Sequence, residues 1–510
     1  MKQIGFKNFR RFQDFPVIDL APVTLFVGEN NAGKSTVVKA ILALLDFLNS
    51  NVADDGFNDA NTSILNQQFY FNKSYFTHIG TFQRALNNNA EEDKIVFEIA
   101  FDTYKFTIEV IGDRKDEQAI SGRISRMLVT LLEYNIDFDY DFRNDNVHVV
   151  FHHNPNPLWE SDTSHSYKLL QEQDKRIKNK YYGSFKEDVV IDMPISGANS
   201  HPFENNVSAL MSIVLAKINA TVSDAKRGKE QLYLPFVQNI VIEGLDDARL
   251  QFLTANSRLF ERLMTSLPSS LQSDFSGTAV EYIYAHAVTQ TVIYSAKDIN
   301  DYFVRTIHEF ANQRVLPGSP IDGFIVRWMK EFKIGIGYHI DSVGGEAHVV
   351  KITNGDGTTV NLADKGMGSI QMMILLFRLA TKMAQSGVGL GGKLKSSTII
   401  VEEPEQNLHP MLQSKLAELF YSMNQEYGFR FIIETHSEYL IRRTQALVGS
   451  SFRDNTEFVN PFKVYYFPAD GTPYDMPYAK TGRFEEQFGT GFFDEATKWN
   501  REVLRYENAK

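Results

Sequence analysis

The sequence predicts an α/β protein whose mixed or parallel sheet is flanked by helices, with a helical insertion between its two halves. Near residues 22–48, a short buried strand, a glycine-rich turn and a helix follow one another. Strands and helices alternate again between residues 398 and 467, which is typical of a parallel sheet. The stretch from about 160 to 330 is instead dominated by helix-like patterns.

The pattern divides the chain into four segments. An N-terminal lobe spans residues 1–120, a mostly helical insertion or arm spans 121–325, a C-terminal lobe spans 326–470, and a tail module spans 471–510. Sustained heptads are absent from the insertion, so we expect a compact lid or arm and no long coiled coil.

Composition excludes several classes of protein. The 510 residues are 43% hydrophobic and 23% charged, and no run of about 18 apolar residues predicts a membrane span. The N-terminus has no secretion signal, so we expect a cytoplasmic protein. The absence of cysteine excludes disulfides and cysteine-ligated zinc. The net charge of −11 argues against a surface that coats nucleic acid, although a local basic stripe is compatible with it.

The strongest local pattern is a phosphate-binding loop. The segment GENNAGKS matches GxxxxGK[ST] and lies between a predicted strand and a predicted helix. Backbone N–H groups and the helix N-terminus hold phosphate in such a loop. Lys34 is expected to reach the β- and γ-phosphates, and the Ser35 hydroxyl to bind Mg²⁺. The predicted nucleotide-binding residues are Gly28, Asn30, Asn31, Gly33, Lys34, Ser35 and Thr36.

Two further strands end in polar side chains. Glu402, at the end of TIIVE, is predicted to bind Mg²⁺, and Glu403 to act as the general base for the attacking water. The strand FIIE is followed by His436, which in its neutral form would hydrogen-bond the γ-phosphate. Because the carboxyl ends of parallel strands meet at one edge, we expect these side chains to lie near Lys34.

A second glycine-rich turn, LADKGMGSIQ at residues 362–371, opens the helix predicted for 368–385. Its amides form another anion-binding helix end. One triphosphate does not need two such ends from the same chain. The turn therefore predicts a head-to-tail dimer, in which each subunit closes over its partner's nucleotide.

Taken in order, GENNAGKS, DKGMGSIQ, IIVEEPEQNLHP and ETHS resemble the motifs of ABC-type ATPases of the SMC, RecF and overcoming-lysogenisation-defect group. The resemblance covers roughly residues 1–110 and 330–470 and implies an ABC-type P-loop ATPase head that uses ATP and Mg²⁺. It implies a D-loop containing Asn407 and a signature that contacts ATP in trans. The signature residues are Lys365, Gly366, Gly368 and Ser369, and which of them reaches the γ-phosphate stays open.

The same resemblance implies roles for residues in two further motifs. NFRRF is similar to the NFR motif of the group, which implies that Arg10 or Arg11 lies near the nucleotide. HIGTFQ occupies the region of the Q-loop, and Gln83 is the candidate metal contact within it.

The segment after His436 is too short for the TOPRIM nuclease domain of some members, and its GFFD stretch resembles a C-terminal module of bacterial predicted ATPases. The resemblance therefore implies a nuclease-free sensor or scaffold in an anti-phage defence system such as Septu or PARIS. The expected partners are a second copy, or a higher homo-oligomer, and a separately encoded nuclease or toxin. A membrane partner is not expected.

Two alternatives stay open. A DNA-repair or DNA-clamping ATPase would use the interleaved basic and aromatic residues of 175–186, although a solvated charged helix explains the same pattern. A transporter ATP-binding subunit fits less well, because such subunits lack the long insertion. No base-recognition motif separates ATP from GTP.

Overall fold

The computed structural model describes residues 1–52, 68–72, 79–132, 134–152, 188–194, 280–283, 291–388, 397–489 and 492–508, with isolated positions between 211 and 253. The strands of these residues are β1 (Gln3–Phe9), β2 (Phe12–Asp19), β3 (Val23–Gly28), β4 (Gln68–Tyr70), β5 (Lys94–Ala100), β6 (Tyr104–Ile111), β7 (Ser121–Leu131), β8 (Ile136–Asp141), β9 (Asn146–Phe151), β10 (Val189–Pro194), β11 (Val280–Ile283), β12 (Tyr294–Ser295), β13 (Gly337–Val343), β14 (Ala347–Thr353), β15 (Thr359–Asn361), β16 (Thr398–Glu402), β17 (Arg430–Glu434), β18 (Phe462–Phe467) and β19 (Tyr474–Asp475).

The α-helices of the same residues are α1 (Lys34–Val52), α2 (Phe82–Ala85), α3 (Tyr302–Asn312), α4 (Pro320–Glu331), α5 (Met367–Gln385), α6 (Pro410–Tyr427), α7 (Glu438–Asp454) and α8 (Glu495–Asn508). None of these helices is long and apolar enough to cross a membrane.

The chain forms two compact units. The first comprises Met1–Asp19 and Thr36–Gly277, and the second comprises Leu20–Ser35 and Thr278–Lys510. This division differs from the four predicted segments, because β3 and the loop that follows it belong to the same unit as residues from the far end of the chain.

The first unit is built on a nine-stranded antiparallel sheet in the order β10-β9-β8-β7-β6-β5-β1-β2, with β4 paired to β7. Alternate side chains of its strands are buried, as in β6. Strands β7 to β10 lie inside the segment 121–325, so the prediction of a mostly helical insertion is wrong for residues 121–151 and 189–194. The helix-like patterns at 206–218 and 248–267 lie largely outside the described residues.

The second unit contains a six-stranded sheet in the order β11-β16-β17-β3-β18-β19. All neighbours in it pair in parallel except β18 and β19, which are antiparallel. Every residue of β3 is buried, which explains its continuous apolar sequence. A smaller antiparallel sheet joins β12, β13, β14 and β15. This mixed α/β architecture, with helices against the sheets, confirms the predicted fold class.

Local signals set the ends of the helices in the second unit. Pro410 occupies the first turn of α6, where its missing N–H costs nothing, and Gly428 ends that helix with a positive φ of 70°. Ser437 caps α7, since its side chain accepts a hydrogen bond from the N–H of Leu440. These signals fix where the chain leaves β16 and β17.

A buried ion network holds α5 in the second unit. The guanidinium of Arg378 on α5 bonds the carboxylates of Glu281 on β11 and Glu309 on α3, and Lys382 Nζ lies 2.8 Å from the other oxygen of Glu281. Because β11 pairs in parallel with β16, the network ties α5 to the strand beside the predicted carboxylate pair. Breaking such a network is costly, since it leaves a buried charge without a partner.

Candidate functional site

The glycine-rich loop leaves β3 at Gly28 and enters α1 at Lys34. Gly28 has a φ of 135°, and a Cβ at this position would overlap the carbonyl of Phe467 on β18. Gly33 also has a positive φ, of 104°, and Asn31 has one of 60°. The loop therefore needs glycine at its two ends, as a chain that turns its N–H groups inward around an anion does.

The ammonium of Lys34 lies inside this loop. The residue is 3% exposed, and Nζ donates hydrogen bonds to the carbonyl oxygens of Gly28 at 3.2 Å and Glu29 at 2.8 Å. Burial lowers the pKa of Lys34, and the negative charges of Glu434 and Glu403 partly offset that effect. Lys34 therefore places a positive charge at a fixed position beside several carboxylates.

A hydrogen bond joins the loop to β17. Ser35 Oγ donates to Glu434 Oε1 at 3.1 Å, across 399 positions of sequence. Burial raises the pKa of Glu434 to about 7, and the charge of Glu402 adds to the effect. No role was predicted for Glu434 from the sequence, although a charged residue at the end of the apolar strand FIIE indicates a site.

The predicted carboxylate pair lies at the same edge of the sheet. Glu402 is the register partner of Glu434 on the neighbouring parallel strand, and the N–H of Glu403 donates to the Glu434 carbonyl at 2.7 Å. Glu403 has a φ of 41°, which is uncommon for a residue with a Cβ. Its Oε2 accepts a hydrogen bond of 2.5 Å from Gln406 Nε2. The base candidate is therefore fixed at both its backbone and its side chain.

His436 lies beside that base. Its Nε2 is 3.9 Å from Glu403 Oε1. Partial burial and the charge of Lys34 lower the pKa of His436, while the charge of Glu403 opposes them. The neutral imidazole that the sequence analysis required is thus favoured near pH 7.

Glu405 is a second carboxylate to which the sequence analysis gave no role. It is 8% exposed, and Oε1 accepts a 2.6 Å hydrogen bond from the N–H of His436. Burial raises the pKa of Glu405. Glu405 therefore ties the turn after β16 to the turn after β17.

The second glycine-rich turn contacts the segment that follows Glu403. Gly366 caps α5 without a side-chain hydrogen bond, and its carbonyl accepts from the N–H groups of Ser369 and Ile370. An anion at this helix end would therefore be met by the amides of Met367 and Gly368. A Cβ on Gly368 would lie 2.5 Å from the carbonyl oxygen of Asn407. Asn407 Nδ2 also donates to Gln371 Oε1 at 2.9 Å. The predicted signature and D-loop therefore touch within one chain, while Lys365 bonds Asn354 and Ser369 lies in the first turn of α5.

Among the remaining predicted residues, Thr36 directly follows Ser35 in the first turn of α1. Arg10, Arg11, Thr36 and Gln83 belong to the first unit, where Gln83 is exposed on α2. Their contacts with a nucleotide stay predictions. Asn30 is exposed within the loop itself. The basic and aromatic run at 175–186 lies outside the described residues.

The residues at this edge fit a nucleotide with Mg²⁺. No group of three or more His, Cys, Asp or Glu in the described ranges is arranged to hold a metal ion alone. A Mg²⁺ ion on a nucleotide takes most of its ligands from phosphate and water and needs only one or two from the protein. Ser35 and Glu402 supply such oxygens, and the buried Glu434 Oε2 makes no hydrogen bond to any described residue.

Comparison with known proteins gives one family. A family model described as the AAA ATPase domain matches residues 1–441. Among curated proteins, none matches the chain.

Solved SMC head domains align over most of the chain. One from Pyrococcus yayanosii, with a coiled coil and joint, has 10% identity, 99% coverage of both chains and a TM-score of 0.38. One from Pyrococcus furiosus, bound to the C-terminal domain of ScpA, has 11% identity, 99% coverage of both chains and a TM-score of 0.32. One from Thermotoga maritima has 10% identity, 94% coverage of this chain, 98% of the other and a TM-score of 0.32. TM-scores this low carry no argument about function.

Replacing Gly28 by alanine is expected to distort the loop, because the new Cβ overlaps a backbone carbonyl that has no room to move. A positive φ alone makes such a change cost more than about 1 kcal/mol. Thermal unfolding and the affinity for a fluorescent ATP analogue are the measurements, and both should fall. Gly323→Ala on α4, where no atom lies within 4 Å of the new Cβ, is the matched control and should be neutral or slightly stabilising. Equal behaviour of the two variants would contradict the reading of the loop.

Proposed function

The chain belongs to the AAA ATPase domain family, and from this premise we propose that it hydrolyses ATP with Mg²⁺ in a dimer whose nucleotide state controls a separate effector protein. The observation that carries the proposal is the hydrogen bond from Ser35 Oγ to Glu434, with buried Lys34 beside it. It joins the phosphate loop to the strand edge where the carboxylates lie. The residues proposed for phosphate binding and those proposed for water activation then lie in one site.

Each residue has a part in this chemistry. The loop amides and Lys34 would hold the phosphates, exchanging the bonds of Nζ to loop carbonyls for bonds to phosphate oxygens. Ser35 and Glu402 would hold Mg²⁺, which when bound neutralises phosphate charge. Glu403, fixed by Gln406, would take the proton of the attacking water.

His436 would act as a neutral partner of the γ-phosphate. Its lowered pKa favours the uncharged ring, and its N–H bond to Glu405 orients the turn that carries it. A neutral imidazole can donate one hydrogen bond without adding a charge that would compete with Lys34 for the carboxylates. The residue therefore suits sensing whether the terminal phosphate is present.

The turn at residues 365–369 would complete the site of a second copy. Gly366 and Met367 are exposed, so the free amides at the start of α5 are accessible to a nucleotide held by a partner. Arg10, Arg11 and Gln83 remain proposed contacts from the first unit. A homodimer is the smallest assembly that uses both anion-binding ends.

We place the ATPase upstream of a separately encoded effector, a nuclease or toxin, in defence against phage. The support is the resemblance of its ordered motifs and of the GFFD stretch to such ATPases. The DNA-clamping alternative has no support from the described surface, because its candidate residues at 175–186 lie outside the described residues. The acidic net charge of −11 also disfavours it.

Glu403→Gln is expected to leave ATP binding intact and slow hydrolysis by roughly 100-fold or more, because the amide cannot accept the proton of water. Binding of a fluorescent ATP analogue and phosphate release are the measurements. Glu346→Gln, in an exposed turn, is the matched control and should keep the wild-type rate. Normal turnover by the Glu403 variant would remove this residue from the role of base.

A mixture of two inactive variants is expected to recover hydrolysis if the signature acts in trans. Lys34→Ala lacks a working loop, and Ser369→Arg blocks the start of α5. Equal mixing gives half mixed dimers with one intact site each, so about a quarter of the wild-type rate should return. Each variant alone reports the background. No recovery after subunit exchange, verified by tagged pull-down, would show that both motifs serve the same chain.

The product of the adjacent reading frame is expected to co-purify with this chain, and phage protection by the pair should be lost in Lys34→Ala. The reason is that the nucleotide state, set at the loop, is proposed to govern the effector. Plaque counts and size-exclusion chromatography are the measurements. Lys330→Ala, on the exposed side of α4, is the matched control and should protect normally. Full protection by Lys34→Ala together with absence of a complex would reject the effector role.

A further inference from the structure

Glu434, at the same edge, accepts a hydrogen bond from a residue of the phosphate loop. It ends β17, is 6% exposed, and its Oε1 accepts a hydrogen bond of 3.1 Å from Ser35 Oγ. Its backbone carbonyl holds the N–H of Glu403, and its register partner is Glu402. Three predicted site residues are thus arranged around Glu434, the first residue of ETHS, for which the sequence predicted no role.

We propose that Glu434 is a positioning residue that orients the Ser35 hydroxyl, so that the lone pairs of Oγ face the magnesium ion. The inference rests on the proposed function, because it needs a metal-bound nucleotide. A serine hydroxyl has one proton and two lone pairs and rotates freely about its Cβ–Oγ bond. With the proton held by Glu434, the lone pairs are left for the cation. Without an acceptor, the hydroxyl must give up other orientations before it can bind.

A direct metal ligand is a less suitable role for Glu434. The oxygen of Glu434 closest to the loop is already engaged by Ser35. Lys34 Nζ donates its hydrogen bonds to the loop carbonyls of Gly28 and Glu29. Glu434 therefore acts through the serine.

The test compares two neutral substitutions that differ in how well they accept a hydrogen bond from Ser35. Glu434→Gln keeps an acceptor oxygen, whereas Glu434→Met has a similar shape and only a thioether sulfur, which is a weak acceptor. The readout is the affinity for fluorescent ADP in Mg²⁺ relative to EDTA, which needs no hydrolysis. Both variants lack the charge, so any effect of charge on phosphate affinity cancels between them.

We expect Glu434→Gln to keep most of the gain in affinity that Mg²⁺ gives, and Glu434→Met to lose about tenfold of it. In the Ser35→Ala background the difference between the two variants should vanish, because the serine is the group through which Glu434 acts. Thermal unfolding without nucleotide verifies that each variant is folded, and Glu434→Leu replaces Glu434→Met if the latter is not.

Two results would overturn the positioning role. Equal Mg²⁺ gains in Glu434→Gln and Glu434→Met would mean that no acceptor is needed at this position. A difference that persists in Ser35→Ala would mean that Glu434 acts by another route. If the wild-type chain bound ADP in neither buffer, the proposed function itself would be wrong, and this inference with it.

Discussion

Parallel pairing of β17 with β3 on one side and with β16 on the other carries the phosphate loop and the carboxylates to one edge of the second unit. Parallel strands run in the same direction, so their carboxyl ends coincide, and whatever follows them meets there. The pairing of Phe431 with Val23 sets the register, and it places Glu434 beside Phe26, two residues before the end of β3. A shift of one residue would turn the side chain of Glu434 to the other face of the sheet. The bond from Ser35 depends on that register.

The carboxylates at this edge explain the perturbed titration of the site. Glu402, Glu403, Glu405 and Glu434 lie within a few residues of the ends of two adjacent strands, and Lys34 is the basic side chain that acts on Glu434 most strongly. Burial raises the pKa values of Glu405 and Glu434 and lowers that of Lys34. Negative charge in excess of positive charge is unfavourable in such a place unless a cation joins it. This excess of negative charge is what the proposed Mg²⁺ site would use.

Short apolar runs made it possible to predict several strands and helices of the second unit from the sequence. The strand TIIVE and the helices predicted at 368–385 and 410–427 agree with β16, α5 and α6 within a residue, because buried parallel strands and capped helices are encoded locally. Strand β8, IDFDYD, alternates aspartates with buried apolar residues and pairs with β7 and β9, its neighbours in the chain, so its signal has a period of two residues. The strands of that part of the first unit could not be predicted from local patterns with a helical period.

The same limit applied within the site. Motif spacing found Lys34, Ser35, Glu402, Glu403 and His436, whose residue types have chemical roles in their own right. Glu405 and Glu434 gain their importance from what they bond, namely the N–H of His436 and the hydroxyl of Ser35, and these partners are known only once the strands are paired. Residues that position others are therefore the ones that a sequence conceals.

The contact between α5 and the turn after β16 gives the proposed dimer a physical route from one nucleotide to the other. Gly368 lies against the carbonyl of Asn407, and Gln371 bonds the Asn407 side chain. Asn407 and Glu403 share one short turn, and both have a positive φ, so the turn has little freedom to absorb a displacement. Arg378 ties the body of α5 to β11 through Glu281. A partner's phosphate bound at that start would therefore act on the turn that carries the base, through contiguous contacts of a few side chains.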